Sequence, residues 1–253
     1  MYCYEFDSRF CVEFLDWLTL KRDVSPRTSN NYKGWISSLS KWMIDRNYIR
    51  ENPVENIKKL KEPSKSRQPL SSLQLKQMFD YVKKTDKYFL LACLFEYYTF
   101  IRPNELSHLK IGDISVKNMT IFVAGKFSKN RKDGMVSLNP NLIKLMLELD
   151  TLKFPMDYYI FGKDFKPSPT HSKADHFNKK WTSIRTLLKL PENLKFYSLK
   201  DSGIRDLANE KGVVVARDQA RHSDIATTNK YLQGRDLPAP AEAKDFNGAY
   251  APD

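Results

Sequence analysis

The chain has 253 residues, 41% of them hydrophobic and 13% aromatic, which is enough to build a sizeable core and excludes disorder along its whole length. Its 9 glycines are about half the usual share of roughly 7%, which argues against a protein made of strands and tight turns. With 42 Lys and Arg against 30 Asp and Glu, the net charge of +12 points to a polyanionic partner, nucleic acid ahead of membrane.

The most apolar stretch, residues 88–101, is too short to span a bilayer and contains Glu96. The first residues carry Glu5 and Asp7 and no basic segment followed by an apolar run, so no signal peptide is expected. Cys3, Cys11 and Cys93 are an odd number without CxxC spacing, which fits reduced thiols and a cytoplasmic protein.

In chain order, Asp7 or Ser8 caps a helix with Phe10, Phe14, Leu15 and Leu18 on one face. Ser25-Pro26 starts a long helix with a stripe of Tyr32, Ile36, Leu39 and Met43. Asn52-Pro53 opens a short third helix holding Val54 and Ile57, so residues 1–60 read as a small helical domain. Residues 58–69 follow without periodicity, with Lys58, Lys59, Lys61, Lys65 and Arg67 between prolines. They read as a basic linker (61–69 in the domain division) suited to strapping across a phosphate backbone.

The second domain, 70–253, starts at the capping-box pattern Ser71-x-x-Gln74. A nearly all-apolar helix over 87–99 supplies the centre of its core, and Pro103 starts a short helix. Residues 119–124 and 135–138 read as strands of a hairpin and 157–161 as a third strand. Helices are expected near 140, over 173–189, 197–210 and 213–220, and before Tyr231. The fold class is therefore mainly α with a small antiparallel sheet.

Cofactor signatures are absent: there is no GxGxxG, Walker loop or HExxH, and His171 and His176 are spaced wrongly for one helical face, so neither cofactor nor metal is expected. Catalysis on a polyanion would fall to basic side chains, hydroxyls and imidazole. Arg102 stands between the apolar helix and the PNELSHL helix, and taken alone it reads as the structural partner of Glu105. Lys126, Lys129, Arg131 and Lys132 sit near the hairpin tip and alone read as a solvated charge run. Lys200, Arg217, Arg221, His222 and Tyr231 fall within about thirty residues.

Two segments resemble the tyrosine recombinases, the phage integrase family. TFIRPNELSHLKIGDI (99–114) is similar to their T-G-x-R-x-x-E-L-x-x-L-x-x-x-D-I box, and ARHSDIATTNKYLQ (220–233) to their L-G-H-S-x-x-x-T-T-x-x-Y box. The resemblance implies an N-terminal SAM-like core-binding domain and a catalytic domain, clamping double-stranded DNA between them. It places Arg102 as the first catalytic arginine, His222 before the nucleophile, and Tyr231 as the nucleophile. Counting back from Leu138 favours Lys129 as the hairpin lysine that protonates the leaving oxygen, with Lys126 as the alternative. FYSLKDSGI (196–204) stands where the family carries H-x-x-R, so Tyr197 replaces histidine and Lys200 replaces the second arginine, a catalytic place from which it would stabilise charge on the phosphoryl oxygens with Arg102 and His222.

The implied activity is strand cleavage and rejoining through a 3′-phosphotyrosyl link, with no cofactor, for integration or excision of a mobile element. Four protomers around two duplexes, a monomer without DNA, and accessory DNA-bending proteins belong to the same implication. Lysine offers a point charge where arginine grips two oxygens, so a DNA-binding remnant that no longer cleaves remains an alternative. Relaxation of one duplex in the manner of a type IB topoisomerase is another.

Overall fold

The structure, a computed structural model, describes residues 3–63, 68–128, 131–229 and 232. The chain divides into two compact units, Met1–Lys65 and Ser66–Asp253. Among the described residues no helix is long and apolar enough to cross a membrane, and Cys11 and Cys93 are buried, unpaired thiols.

The first unit is built on α1 (Ser8–Leu20) and α2 (Pro26–Ile44). Asp7 caps α1 by accepting from the Phe10 N–H at 2.8 Å, and Ser25 caps α2 ahead of a proline that needs no donor there. Cys11, Leu15 and Leu18 are the buried face of α1, and Phe14 meets Tyr32 of α2 edge to face. The third helix expected from Asn52-Pro53 is instead a run of turns. Asn52 accounts for the difference: its side chain accepts from the Val54 N–H and donates to Ser37 Oγ, a local alternative to helical bonding. The chain beyond is tied back to α2. Asn30 donates to the Leu60 carbonyl and accepts from its N–H, both at 2.9 Å, and Lys33 bonds the Ile57 carbonyl.

The second unit surrounds α4 (Lys87–Thr99), which buries Phe89, Leu90, Leu91, Ala92, Cys93 and Phe95. A helix apolar on all sides belongs inside a core. Against it pack α3 (Ser72–Thr85), α6 (Pro140–Glu148) and α8 (Ser198–Lys211). The capping box at α3 is formed, with Ser71 and Gln74 each bonding the other's backbone N–H. Short α5 (Pro103–Ser107) follows α4, and α7 (Ala174–Leu187) lines the core with Phe177, Trp181 and Ile184. The last two helices among the described residues are α9 (Val213–Gln219) and α10 (Ile225–Asn229).

The sheet has three antiparallel strands in the order β1 (Ile114–Ser115), β2 (Thr120–Val123) and β3 (Gly134–Ser137), with Ile121 opposite both Ile114 and Val136. The expected strand at 157–161 is corrected: the third strand is β1, and Tyr159 forms only isolated bridges to Lys110 and Ser168. Prolines at 155, 167 and 169 flank that segment and interrupt any longer ladder.

Candidate active site

The site begins where α4 ends. Phe100 reverses the chain in the left-handed region at φ 56°, Ile101 plugs the core, and Arg102 emerges extended at the start of α5. Pro103 sits at the first helical position, where its missing donor costs nothing. Glu105, three residues on, accepts from the Arg102 backbone N–H at 3.0 Å and from its guanidinium at 3.4 Å.

A second arginine reaches the same carboxylate. Arg221 follows α9, again in the left-handed region at φ 54°, and its Nη2 donates to Glu105 at 2.5 Å. Burial pushes the Glu105 carboxyl up, but Arg221, the Arg102 N–H and the Arg102 guanidinium outweigh it and hold the group below its ordinary value. The Arg221 side chain passes across β3 at Gly134, where a Cβ would lie 2.7 Å from its Cδ. Gln219 fixes the end of α9 by bonding the Ser137 N–H and carbonyl and the Tyr98 carbonyl.

Lys200 lies in α8 with no exposed surface, its Nζ donating to the Phe100 carbonyl at 2.6 Å. Its charge therefore faces the turn that launches Arg102 rather than an open surface. Burial, aided by Arg102, lowers its pKa to about 7, with Glu96 and Glu105 opposing. Glu96 is wholly buried in α4 and is pushed well above its ordinary value by burial. Tyr197, immediately before α8, has its ring 5.7 Å from Lys200 Nζ.

His222, next to Arg221, pairs its Nδ1 with Oγ1 of buried Thr228 at 2.9 Å, which orients the imidazole. The chain between β2 and β3 is anchored to α5: Asn104 donates to the Phe127 carbonyl, and the Phe127 ring stacks on His108 at 3.8 Å. Lys126 lies over the Phe127 ring, and Arg131 and Lys132 are exposed. Lys58, Lys59 and Lys61 are exposed in the first unit. Lys129, Tyr231, Lys65 and Arg67 lie outside the described residues. Among those described, no group of three or more His, Cys, Asp or Glu could hold a metal ion.

The two segments singled out in the sequence thus meet: Arg102 from the first and Arg221 from the second share Glu105. The sequence profile of the phage integrase family matches residues 68–237, a span that holds both. The chain belongs to the phage integrase family. It is 23% identical over 238 residues to an integrase/recombinase of Haemophilus influenzae, covering 89% of this chain and 61% of that protein. A protein of Pseudomonas aeruginosa assigned as tyrosine recombinase XerC is 23% identical over 85% of this chain and 56% of its own. A protein of Escherichia coli K12 assigned as defective IntQ is 31% identical, over 41% of this chain and 26% of its own. The chain therefore spans about a quarter to three fifths of the curated relatives it matches.

Solved integrase-family structures share the fold. The Tn1549 transposon integrase with circular intermediate DNA gives a TM-score of 0.73 at 16% identity, covering 89% of this chain and 80% of that one. A lambda integrase dimer bound to a COC′ core site gives 0.75 at 13% identity, covering 92% and 67%. XerH bound to a palindromic difH substrate gives 0.71 at 19%, covering 89% and 68%.

Sequence reasoning singled out Arg102, Lys200 and His222 and paired Arg102 with Glu105, but gave Arg221 no role. A signal was present. Phe100 and Arg221 occupy the two positions where the family boxes carry glycine, and both adopt positive φ. A side chain in that conformation costs roughly 1–2 kcal/mol.

Proposed function

We propose that this protein is a site-specific DNA recombinase that cleaves and rejoins strands of double-stranded DNA through a 3′-phosphotyrosyl intermediate, in the integration or excision of a mobile element. The observation that carries the reading is the meeting of Arg102 and the Arg221–His222 segment on one buried carboxylate, within the span matched to the family. In the proposed step the Tyr231 hydroxyl oxygen bonds to the scissile phosphorus and the bond to the 5′ oxygen breaks. The phenol gives up a proton and the 5′ oxygen gains one, from Lys129 or, in the alternative assignment, Lys126. Arg102 and His222 stabilise the charge that builds on the phosphoryl oxygens. Lys200, expected from the sequence to face the phosphate with them, would instead act on Arg102 from behind, because it is buried and donates to the Phe100 carbonyl.

The phosphodiester energy is kept in the covalent link, so rejoining needs no nucleotide cofactor. Four protomers around two duplexes would exchange strands, with Lys58, Lys59, Lys61, Lys65, Arg67, Lys126, Arg131, Lys132 and Tyr197 contacting DNA. The second reading, a remnant that binds without cleaving, is favoured by one observation: the lysine in the second-arginine position is buried. One experiment separates the two. Incubation with a library of nicked duplexes carrying a randomised centre should give a covalent protein–DNA band with the native protein and none with Tyr231→Phe, which keeps DNA binding. Binding without any band favours the remnant, and a band retained by the variant moves the nucleophile elsewhere.

A further inference from the structure

In the family pattern two arginines attend the scissile phosphate, and here the second has become Lys200. The replacement does not sit in its predecessor's role: it has no exposed surface, and its ammonium is spent on the Phe100 carbonyl. Resting on the recombinase reading, we propose that Arg221 is a catalytic residue that supplies the missing second guanidinium, reaching the phosphate from the turn after α9 instead of from α8.

Three observations support the assignment. Arg221 and Arg102 bind opposite oxygens of one carboxylate, at 2.5 and 3.4 Å, so the two forks lie side by side whatever the rest of the chain does. Both keep some surface, 14% of the Arg221 side chain and 25% of the Arg102 side chain, where Lys200 keeps none. Two guanidiniums on one carboxylate carry a net charge of +1 between the three groups. Glu96 does not neutralise it, because burial favours its protonated form. Arg221 Nε–H has no acceptor among the described residues, but that atom is buried, so contact with an anion falls to the exposed part of the guanidinium. A mostly buried surplus charge is matched by an anion with several oxygens, which a phosphodiester is.

The route is specific as well. An arginine at a left-handed position is a costly choice where glycine would be unstrained, and it reaches Glu105 only because Gly134 offers no Cβ in its path. If Arg221 served only to neutralise Glu105, Arg102 alone would suffice for the charge count.

The test is single-turnover covalent adduct formation at saturating protein, on the duplex captured by the native protein. Two versions of that duplex are compared, one with the normal scissile phosphate and one with a non-bridging oxygen replaced by methyl. The methyl version carries no negative charge and needs one cationic partner fewer. Arg221→Gly, which suits the left-handed backbone, should slow adduct formation on the normal duplex by about 100-fold or more. On the methyl version it should come within about threefold of the native rate. Arg221→Lys should fall between, since it keeps the charge and loses the fork. Equal slowing on both duplexes, or no slowing on either, overturns the proposal and leaves Arg221 a structural partner of Glu105. A misfolded variant cannot imitate the expected result, because it would not recover on the neutral duplex. Failure of the native protein to form any adduct is a separate outcome. It removes the recombinase reading, and this assignment with it.

Discussion

Burying Glu105 without partners would keep it protonated, yet three donors from two parts of the chain hold it as a carboxylate. Because its folded value lies below its ordinary one, the stability it contributes is present above the ordinary carboxylate range and is lost as pH falls through the folded value. Glu105→Gln should therefore destabilise the second unit by about 2–3 kcal/mol near neutrality, somewhat less than a fully buried pair because both arginines keep some surface. The penalty should shrink when urea unfolding is repeated near pH 4, and a penalty independent of pH would show that the charge is not what matters. Arg102 was legible in the sequence because proline and Glu105 follow it at helix-start spacing. Arg221 was given no role although it stands where the family box carries glycine, and Lys200 was singled out by its place in the box while its burial against the Phe100 carbonyl was not legible.

At the scale of elements, α8 lies so close to α4 that a Cβ on Gly203 would be 1.9 Å from the Tyr97 carbonyl oxygen. Gly34 in α2 is the opposite case, with nothing within 4 Å of the same added atom. Replacing helical glycine by alanine gains about 1 kcal/mol in propensity, while a forced backbone shift in a packed core costs roughly 1–3 kcal/mol. Gly34→Ala should thus stabilise its unit by up to about 1 kcal/mol. Gly203→Ala should destabilise the second unit by about 2 kcal/mol, because the obstructing atom is backbone and cannot rotate away. Thermal unfolding of both variants checks the pair, and a Gly203→Ala variant no less stable than the native protein would mean α4 and α8 are less tightly apposed. Helices with a capping side chain and one apolar face were readable, as α1, α2 and α3 illustrate. The turns after Asn52 and the bridges at Tyr159 were not. In both, local side-chain bonding or flanking proline overrides a short apolar run, and short runs carry too little periodicity to decide.

Over the whole molecule the surplus of +12 has no compensating partner in the chain itself, and its use on DNA would appear as salt dependence. Lys58, Lys59 and Lys61 are informative here, because they lie outside the span matched to the family and yet are not on a loose tether. Asn30 bonds both Leu60 backbone groups and Glu62, so the three lysines lie on an irregular segment tied to α2. A tied segment loses less entropy on binding a phosphate backbone than a free one. Each lysine that neutralises a phosphate releases counterions and contributes about −0.9 to the slope of log affinity against log salt. Replacing all three with alanine should reduce the magnitude of that slope by roughly 2.7 if each meets one phosphate. The single-turnover cleavage rate at saturating protein should stay unchanged, because these residues would grip DNA without touching the scissile phosphate. Titrating native and triple-variant proteins against one duplex at several salt concentrations measures the difference. An unchanged slope would make the lysines an ordinary solvated surface. A reduced rate at saturation would instead mean that the segment also helps to position the duplex for cleavage.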